Sequence, residues 1–228
     1  ELGGAKNVDT FTIGSSTYAI VTSSEDKGVQ IIDISDPTAI VAKDAEEDGV
    51  NGFTELEGPE DVNIFTCGSR TYAMVASPGD NSVQMIDISD PANIVAKDAE
   101  VDGDTFTELW DATDVDTFVI GSSTYAIVAS YIDSGVQMID ISDPTNIVAK
   151  DAETDGANGF TVLAGASGVD TFTIGSSTYA IVASATDSGV QMIDISDPTN
   201  IVAIDAETDG ENGFTELNGA SGVDTFTC

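Results

Sequence analysis

The sequence predicts an all-β protein: a β-propeller-like array of four blades, each about 54 residues long and four-stranded. Three observations carry this. First, Ile-Asp-Ile-Ser-Asp-Pro recurs with its proline at Pro37, Pro91, Pro144 and Pro198, and a tyrosine recurs in step at Tyr18, Tyr72, Tyr125 and Tyr179. Second, the apolar runs are short, rich in β-branched and aromatic residues, and punctuated by Gly, Pro, Ser and Asp; no segment has a capped helical period. Third, these runs are apolar on both faces. Along Tyr179–Ala183, Tyr and Ile point one way while Ala and Val point the other. A sheet apolar on both sides must be stacked between neighbours, which describes a blade. The alternative is β-sandwich repeats, which normally leave one polar face per strand.

The repeats run Val8–Asp61, Val62–Asp114, Val115–Gly168 and Val169–Gly222, with a fifth starting at Val223 and stopping at Cys228; residues 1–228 are read as one repeat domain. In the fourth repeat the predicted strands are Val169–Ile174, Tyr179–Ala183, Val190–Ile195 and Ile201–Ala206. A Gly-Ser-Ser turn separates the first two. Asp197-Pro198-Thr199-Asn200 turns between the last two, with proline setting φ. Glu1-Leu2-Gly3-Gly4-Ala5 matches Glu216-Leu217-Asn218-Gly219-Ala220, and Val8–Thr12 matches Val223–Thr227. The expectation is either a cut array or a terminal strand that closes or extends an assembly. With no initiator Met and no signal-peptide pattern, the sequence reads as a processed or cut piece.

Net charge is −35, from 41 acidic against 6 basic residues. Nucleic acid and anionic membrane surfaces are excluded as partners, because both need a basic face. Metal cations and basic proteins suit the charge. Apolar residues make up 41% of the chain and fall in ordered runs, which argues against disorder, and none of these runs approaches the roughly 18 residues of a membrane span. Histidine is absent. The two cysteines, Cys67 and Cys228, share one slot of the repeat, where the other copies carry Ile13, Ile120 and Ile174. Replacing an inward apolar residue twice at one slot predicts a disulfide, within one chain or between neighbours.

Gly189-Val190-Gln191-Met192-Ile193-Asp194-Ile195-Ser196-Asp197-Pro198-Thr199-Asn200, with the preceding Tyr-Ala-Ile-Val, resembles the LVIVD-repeat family. The same stretch recurs at Gly28–Ile40, Ser82–Ile94 and Gly135–Ile147. The resemblance implies β-propeller blades and a cell-surface location, and it supplies no catalytic residues. The long segment between the fourth strand and the next first strand, with Asp-Gly-Ala-Asn-Gly-Phe-Thr and a Gly-Ala-Ser-Gly run, departs from the family and enlarges the unit.

One motif has metal chemistry in it. Asp-x-Glu-x-Asp-Gly places Asp44, Glu46 and Asp48, then Asp98, Glu100 and Asp102, then Asp151, Glu153 and Asp155, then Asp205, Glu207 and Asp209 before a glycine. Calcium takes about six to eight hard oxygen ligands, which alternating carboxylates before a turn supply. Glu55 and Glu216 fall in the twelfth slot of such a loop; Val162 stands there in the third repeat, and the shortened second repeat puts Glu108 out of register. Calcium is the one cofactor the sequence suggests. The competing reading makes these carboxylates the solvent face of a strand end. The Asp of each Ile-Asp-Ile (Asp33, Asp87, Asp140, Asp194) lies in an apolar strand and is expected to accept backbone N–H groups at the Asp-Pro turn.

No histidine base, nucleophile elbow, P-loop or dinucleotide fingerprint is present. Asymmetry is therefore where a single site would live, and the residues that break the repeat are Lys27, Arg70, Pro78, Trp110 and Tyr131. Trp110 is expected to plug the gap left by the missing residue, with a binding anchor as the other reading. The functional expectation is a non-catalytic extracellular or cell-surface structural or adhesive protein, self-assembling through its repeats into a layer or fibre. The alternatives are a calcium-dependent module binding a glycan or peptide, and a glycoside-processing propeller with paired carboxylates.

Overall fold

The computed structural model describes residues 2–226. Among them every regular element is a strand. Sheet one is β1 (Ala5–Ile13), β2 (Ser16–Ser23), β3 (Gly28–Asp33) and β4 (Val41–Glu47). Sheet two is β5 (Asp61–Cys67), β6 (Arg70–Ser77), β7 (Ser82–Asp87) and β8 (Val95–Val101). Sheet three is β9 (Ala112–Ile120), β10 (Ser123–Ser130), β11 (Gly135–Asp140) and β12 (Val148–Thr154). Sheet four is β13 (Ala166–Ile174), β14 (Ser177–Ser184), β15 (Gly189–Asp194) and β16 (Val202–Thr208). Each is an antiparallel meander in chain order. Four four-stranded sheets, one per repeat, make this a fold of β-propeller blades. The expected strands are all present. The first and second strands of the fourth repeat run a few residues beyond the expected bounds, because their pairing continues through the Gly-Ser-Ser hairpin and back to Ala166 and Ser184.

The pairing between third and fourth strands carries a one-residue bulge in every sheet. Ile31 faces Asp44 and Ile32 faces Ala42, so Lys43 is the extra residue. Lys97, Lys150 and Ile204 occupy the same place. A bulge re-aims its side chain. Here it turns Lys43 Nζ to within 3.2 Å of Asp33 Oδ2 and Lys150 Nζ to within 3.1 Å of Asp140 Oδ2.

The chain packs as two compact units, the first spanning 1–101 with 143–147, the second 102–142 with 148–228. In the first, Ile20, Val29 and Ile31 of sheet one pack with Val62, Ala73, Val75 and Ile86 of sheet two. In the second, Ile127, Val136 and Met138 of sheet three pack with Val169, Ala180, Val182 and Ile193 of sheet four. Each layer is completed by the linking segment: Phe53 and Leu56 in one unit, Phe160 and Leu163 in the other, all essentially inaccessible. Burying such a side chain contributes about 1.5–3 kcal/mol. A cross-strand aromatic pair recurs in each sheet, Phe11 with Tyr18 and Phe172 with Tyr179, at ring separations of 5.5 and 5.7 Å. The recurring tyrosines thus serve packing.

Candidate functional site

The aspartates of Asp-x-Glu-x-Asp-Gly are hydrogen-bond acceptors for backbone. The first Asp reaches into the next repeat: Asp44 accepts from Ile94 N at 2.8 Å, Asp98 from Ile147 N at 2.8 Å, and Asp151 from Ile201 N at 2.7 Å. The last Asp closes its own linking segment. Asp48, Asp102, Asp155 and Asp209 accept from the backbone N–H of Leu56, Leu109, Leu163 and Leu217. The middle Glu holds an asparagine with positive φ: Glu46 with Asn51, Glu153 with Asn158, Glu207 with Asn212. Among the described residues, no three carboxylates or thiols are gathered to hold a metal ion. Glu55 is partly buried and Glu216 exposed; burial first, then Asp80 and Asp48, pushes the Glu55 carboxyl upward. Burial likewise raises Glu100.

The Ile-Asp-Ile carboxylates also accept backbone N–H. Ser35, Ser89, Ser142 and Ser196 donate to Asp33, Asp87, Asp140 and Asp194 at 2.9–3.1 Å. Asp87 departs from its copies because both Arg70 and Lys97 reach it. Burial pushes Asp87 upward, but Ser89 and Arg70 outweigh it and hold its carboxyl below the ordinary range. This ion triad lines an open cavity of about 430 Å³ with Asn93 and Val95. Each of the six lysine and arginine side chains lies within ion-pair distance of a carboxylate, and among the described residues they form no basic face.

Cys67 ends β5 and is partly buried. Cys228, its expected disulfide partner, lies outside the described residues.

The second linking segment is where the repeat is broken. Trp110 does not plug the gap of the missing residue: its side chain is 53% exposed, and Phe106 and Leu109 fill the core there instead. Its backbone N donates to Asp133 Oδ2 at 2.7 Å, which pins it beside the β10–β11 hairpin. That hairpin carries Tyr131 and Ile132, both exposed. Tyr131 N donates to Asp111 O at 2.9 Å. Beneath them Glu108 packs over Gly135, its main-chain oxygen accepting from Ser130 Oγ at 2.6 Å. Its Oε2 is buried with no hydrogen-bond partner among the described residues. Burial, then Asp133, Asp102 and Glu153, pushes the Glu108 carboxyl up to about 7. Another raised carboxyl, Asp116 at about 6, owes its shift first to burial, and it accepts from Thr171 N and Oγ1 of the neighbouring sheet.

The sequence marks Trp110 and Tyr131 separately as breaks in the repeat. Only the fold brings them together with Ile132 and Glu108. The signal was available in the alignment of repeats, where Tyr131-Ile132 replaces Ala185-Thr186 and Trp110 replaces Ala164.

Sheets of this order and pairing define a β-propeller-type repeat protein. Within that class, the LVIVD repeat matches residues 15–45, 69–99 and 176–205, in three of the four repeats. No curated protein sequence matches this one. Solved structures share the fold at low identity. A functionally unknown protein from Desulfotomaculum acetoxidans aligns with TM-score 0.65 and 15% identity, over 95% of this chain and 60% of its own. A periplasmic gluconolactonase from Pseudomonas aeruginosa gives 0.62 and 9%, over 95% and 55%. An exo-β-1,3-galactanase from Phanerochaete chrysosporium gives 0.57 and 13%, over 91% and 50%. The chain therefore spans about half to three fifths of the length of these structures.

Proposed function

We propose that this chain is a non-catalytic repeat module of an extracellular or cell-surface protein, acting by adhesion or assembly. One observation carries the reading: the aspartates that recur with the repeat accept backbone N–H groups, within the sheet turn, within the linking segment or across to the next repeat. Groups spent on holding the chain in four equal copies are scaffold, whereas catalysis needs one asymmetric constellation. The LVIVD resemblance supports the cell-surface location. The test has two parts. The purified chain should show no turnover of aryl glycosides or aldonolactones above buffer. It should co-sediment with cell envelopes of its source. Turnover that disappears in a site variant overturns the non-catalytic half.

A second reading is favoured by Glu108. A half-buried carboxyl that keeps its proton to about pH 7 has the property of a general acid in glycoside or lactone chemistry. The galactanase and the gluconolactonase share the fold, which supports testing those substrates first. Activity present in the native chain and absent from Glu108→Gln establishes this reading in place of the first.

Calcium-dependent binding has its own measurement. An ion in the linking segments would share Asp48, Asp155 or Asp209 with backbone donors that already hold one oxygen of each at 2.8–3.1 Å. A rise in melting temperature with calcium that matched monovalent salt does not reproduce supports it.

A further inference from the structure

In a repeat protein, the residues that fold the chain are common to every copy. A residue that breaks the pattern and is also left exposed has been released from folding. The second unit holds three such residues side by side: Trp110 at 53% exposure, Ile132 at 50% and Tyr131 at 38%. Their counterparts are small or polar: Glu57, Ala164 and Asn218 at the first slot; Ser24, Pro78 and Ala185 at the tyrosine slot; Glu25, Gly79 and Thr186 at the isoleucine slot. Their backbone is tied together across the two segments. Trp110 N donates to Asp133 Oδ2, Asp133 N to Trp110 O, and Tyr131 N to Asp111 O. Two aromatic rings and a branched aliphatic chain fixed at the surface are the composition of an interface anchor.

The surroundings say what kind of partner fits. Burial first, then Asp133, Asp102 and Glu153, raises the Glu108 carboxyl, and burial, then Asp102, raises that of Asp133. None of the six cations of the chain forms an ion pair with any of them. Aromatic faces attract cations, Trp most strongly. A guanidinium or ammonium group arriving here meets a ring face beside acidic groups that no lysine or arginine of the chain pairs, within a molecule of net charge −35. A neutral ring would gain only the aromatic part, and an anion would be repelled.

We propose that Trp110, Tyr131 and Ile132 form a docking patch for a basic peptide segment, one presenting arginine or lysine side chains on a partner protein. This deepens the binding reading above by naming the partner's chemistry, and its test involves no turnover and no cell envelope, so the two fail separately. Trp110 is the one tryptophan of the chain and reports directly from the patch. Hexa-arginine is titrated into the native chain at about 0.15 M salt, where contacts beyond about 8 Å are screened, with Trp110 emission as readout. The variant is Tyr131→Ala with Ile132→Thr, which installs the fourth repeat's own residues and removes no charge. The expected result is a saturable emission change in the native chain and an affinity at least about tenfold weaker in the variant.

Equal affinity in the two proteins means bulk charge alone is at work and overturns the proposal. So does an emission that stays flat or never saturates. So does a saturable response to lactose, which would make the patch a sugar platform. Should the double variant lose its cooperative unfolding transition, Trp110→Ala, which installs the residue of the third repeat, is titrated by calorimetry against the same peptide. Heat and affinity equal to the native chain's overturn the proposal; a loss of at least about tenfold upholds it.

Discussion

The second and third linking segments do the same structural job with different residues. In the third, Asp155 accepts from Leu163 N, Glu153 holds Asn158, and Val162 and Leu163 are buried. In the second, one residue is missing. Asp102 still accepts from Leu109 N, and Leu109 is still buried, but no asparagine is held. A glutamate stands where Val162 stands, and a tryptophan where Ala164 stands. Asp111 takes a positive φ of 62° at the slot where Gly165 has 67°. The two agree in the buried phenylalanine and leucine, in the aspartate that caps the leucine and in the threonine held by a glutamine, and they differ in the residues before the phenylalanine and around the leucine. The shared residues anchor the segment, and the positions that differ are free to take on chemistry.

Four measurements sharpen or break that comparison, each read from urea unfolding. Leu109→Ala and Leu163→Ala should each destabilise by about 2–5 kcal/mol, since both are fully buried. A cost confined to one of them would mean the segments do not share an anchor. Asp102→Ala and Asp155→Ala should each cost about 1.5–3 kcal/mol, because a buried leucine N–H loses a charged acceptor. If Asp102→Ala costs nothing, the shortened segment has found another closure.

Glu108→Gln has no equivalent at Val162, and its effect depends on pH. The folded carboxyl is raised to about 7, so the native state holds its proton more tightly than the unfolded chain does. The stability this confers is fully present below the ordinary glutamate range and is lost as pH rises through about 7. Glu108→Gln should remove that slope and, near pH 8, stabilise by on the order of 1 kcal/mol once solvent screening of a half-exposed group is allowed for. An unchanged slope would locate the titration elsewhere, Asp116 first. Asn158→Ala should cost the least, up to about 1 kcal/mol, since its bond to Glu153 is exposed.

Much of this fold was legible in the sequence because period and strand pattern coincide. Sixteen strands follow from apolar faces and turn residues that recur in step. The Asp-Pro turn was legible too, because an aspartate two residues before a serine N–H is a local device. The role of Asp44, Asp98 and Asp151 was not. Their partners are the N–H groups of Ile94, Ile147 and Ile201, about fifty positions away, and no local pattern distinguishes that use from a metal loop. Trp110 was misread for a related reason. A missing residue suggests a void to fill, but the chain shortens the loop so that Phe106 and Leu109 still reach the core, and the tryptophan is left outside.

The aspartate links between successive repeats bear on how such a chain changes length. Donor and acceptor lie one repeat apart, so duplicating or excising a whole repeat returns every aspartate to an equivalent isoleucine N–H. Losing a single residue inside a paired strand would instead turn every following side chain to the wrong face. The one residue absent from the second repeat falls in its linking segment, between Gly103 and Phe106, where no ladder is interrupted. Near-identical copies of this kind are open to unequal recombination, and the bonding scheme tolerates the product: copy number can drift while the joints between neighbours stay the same.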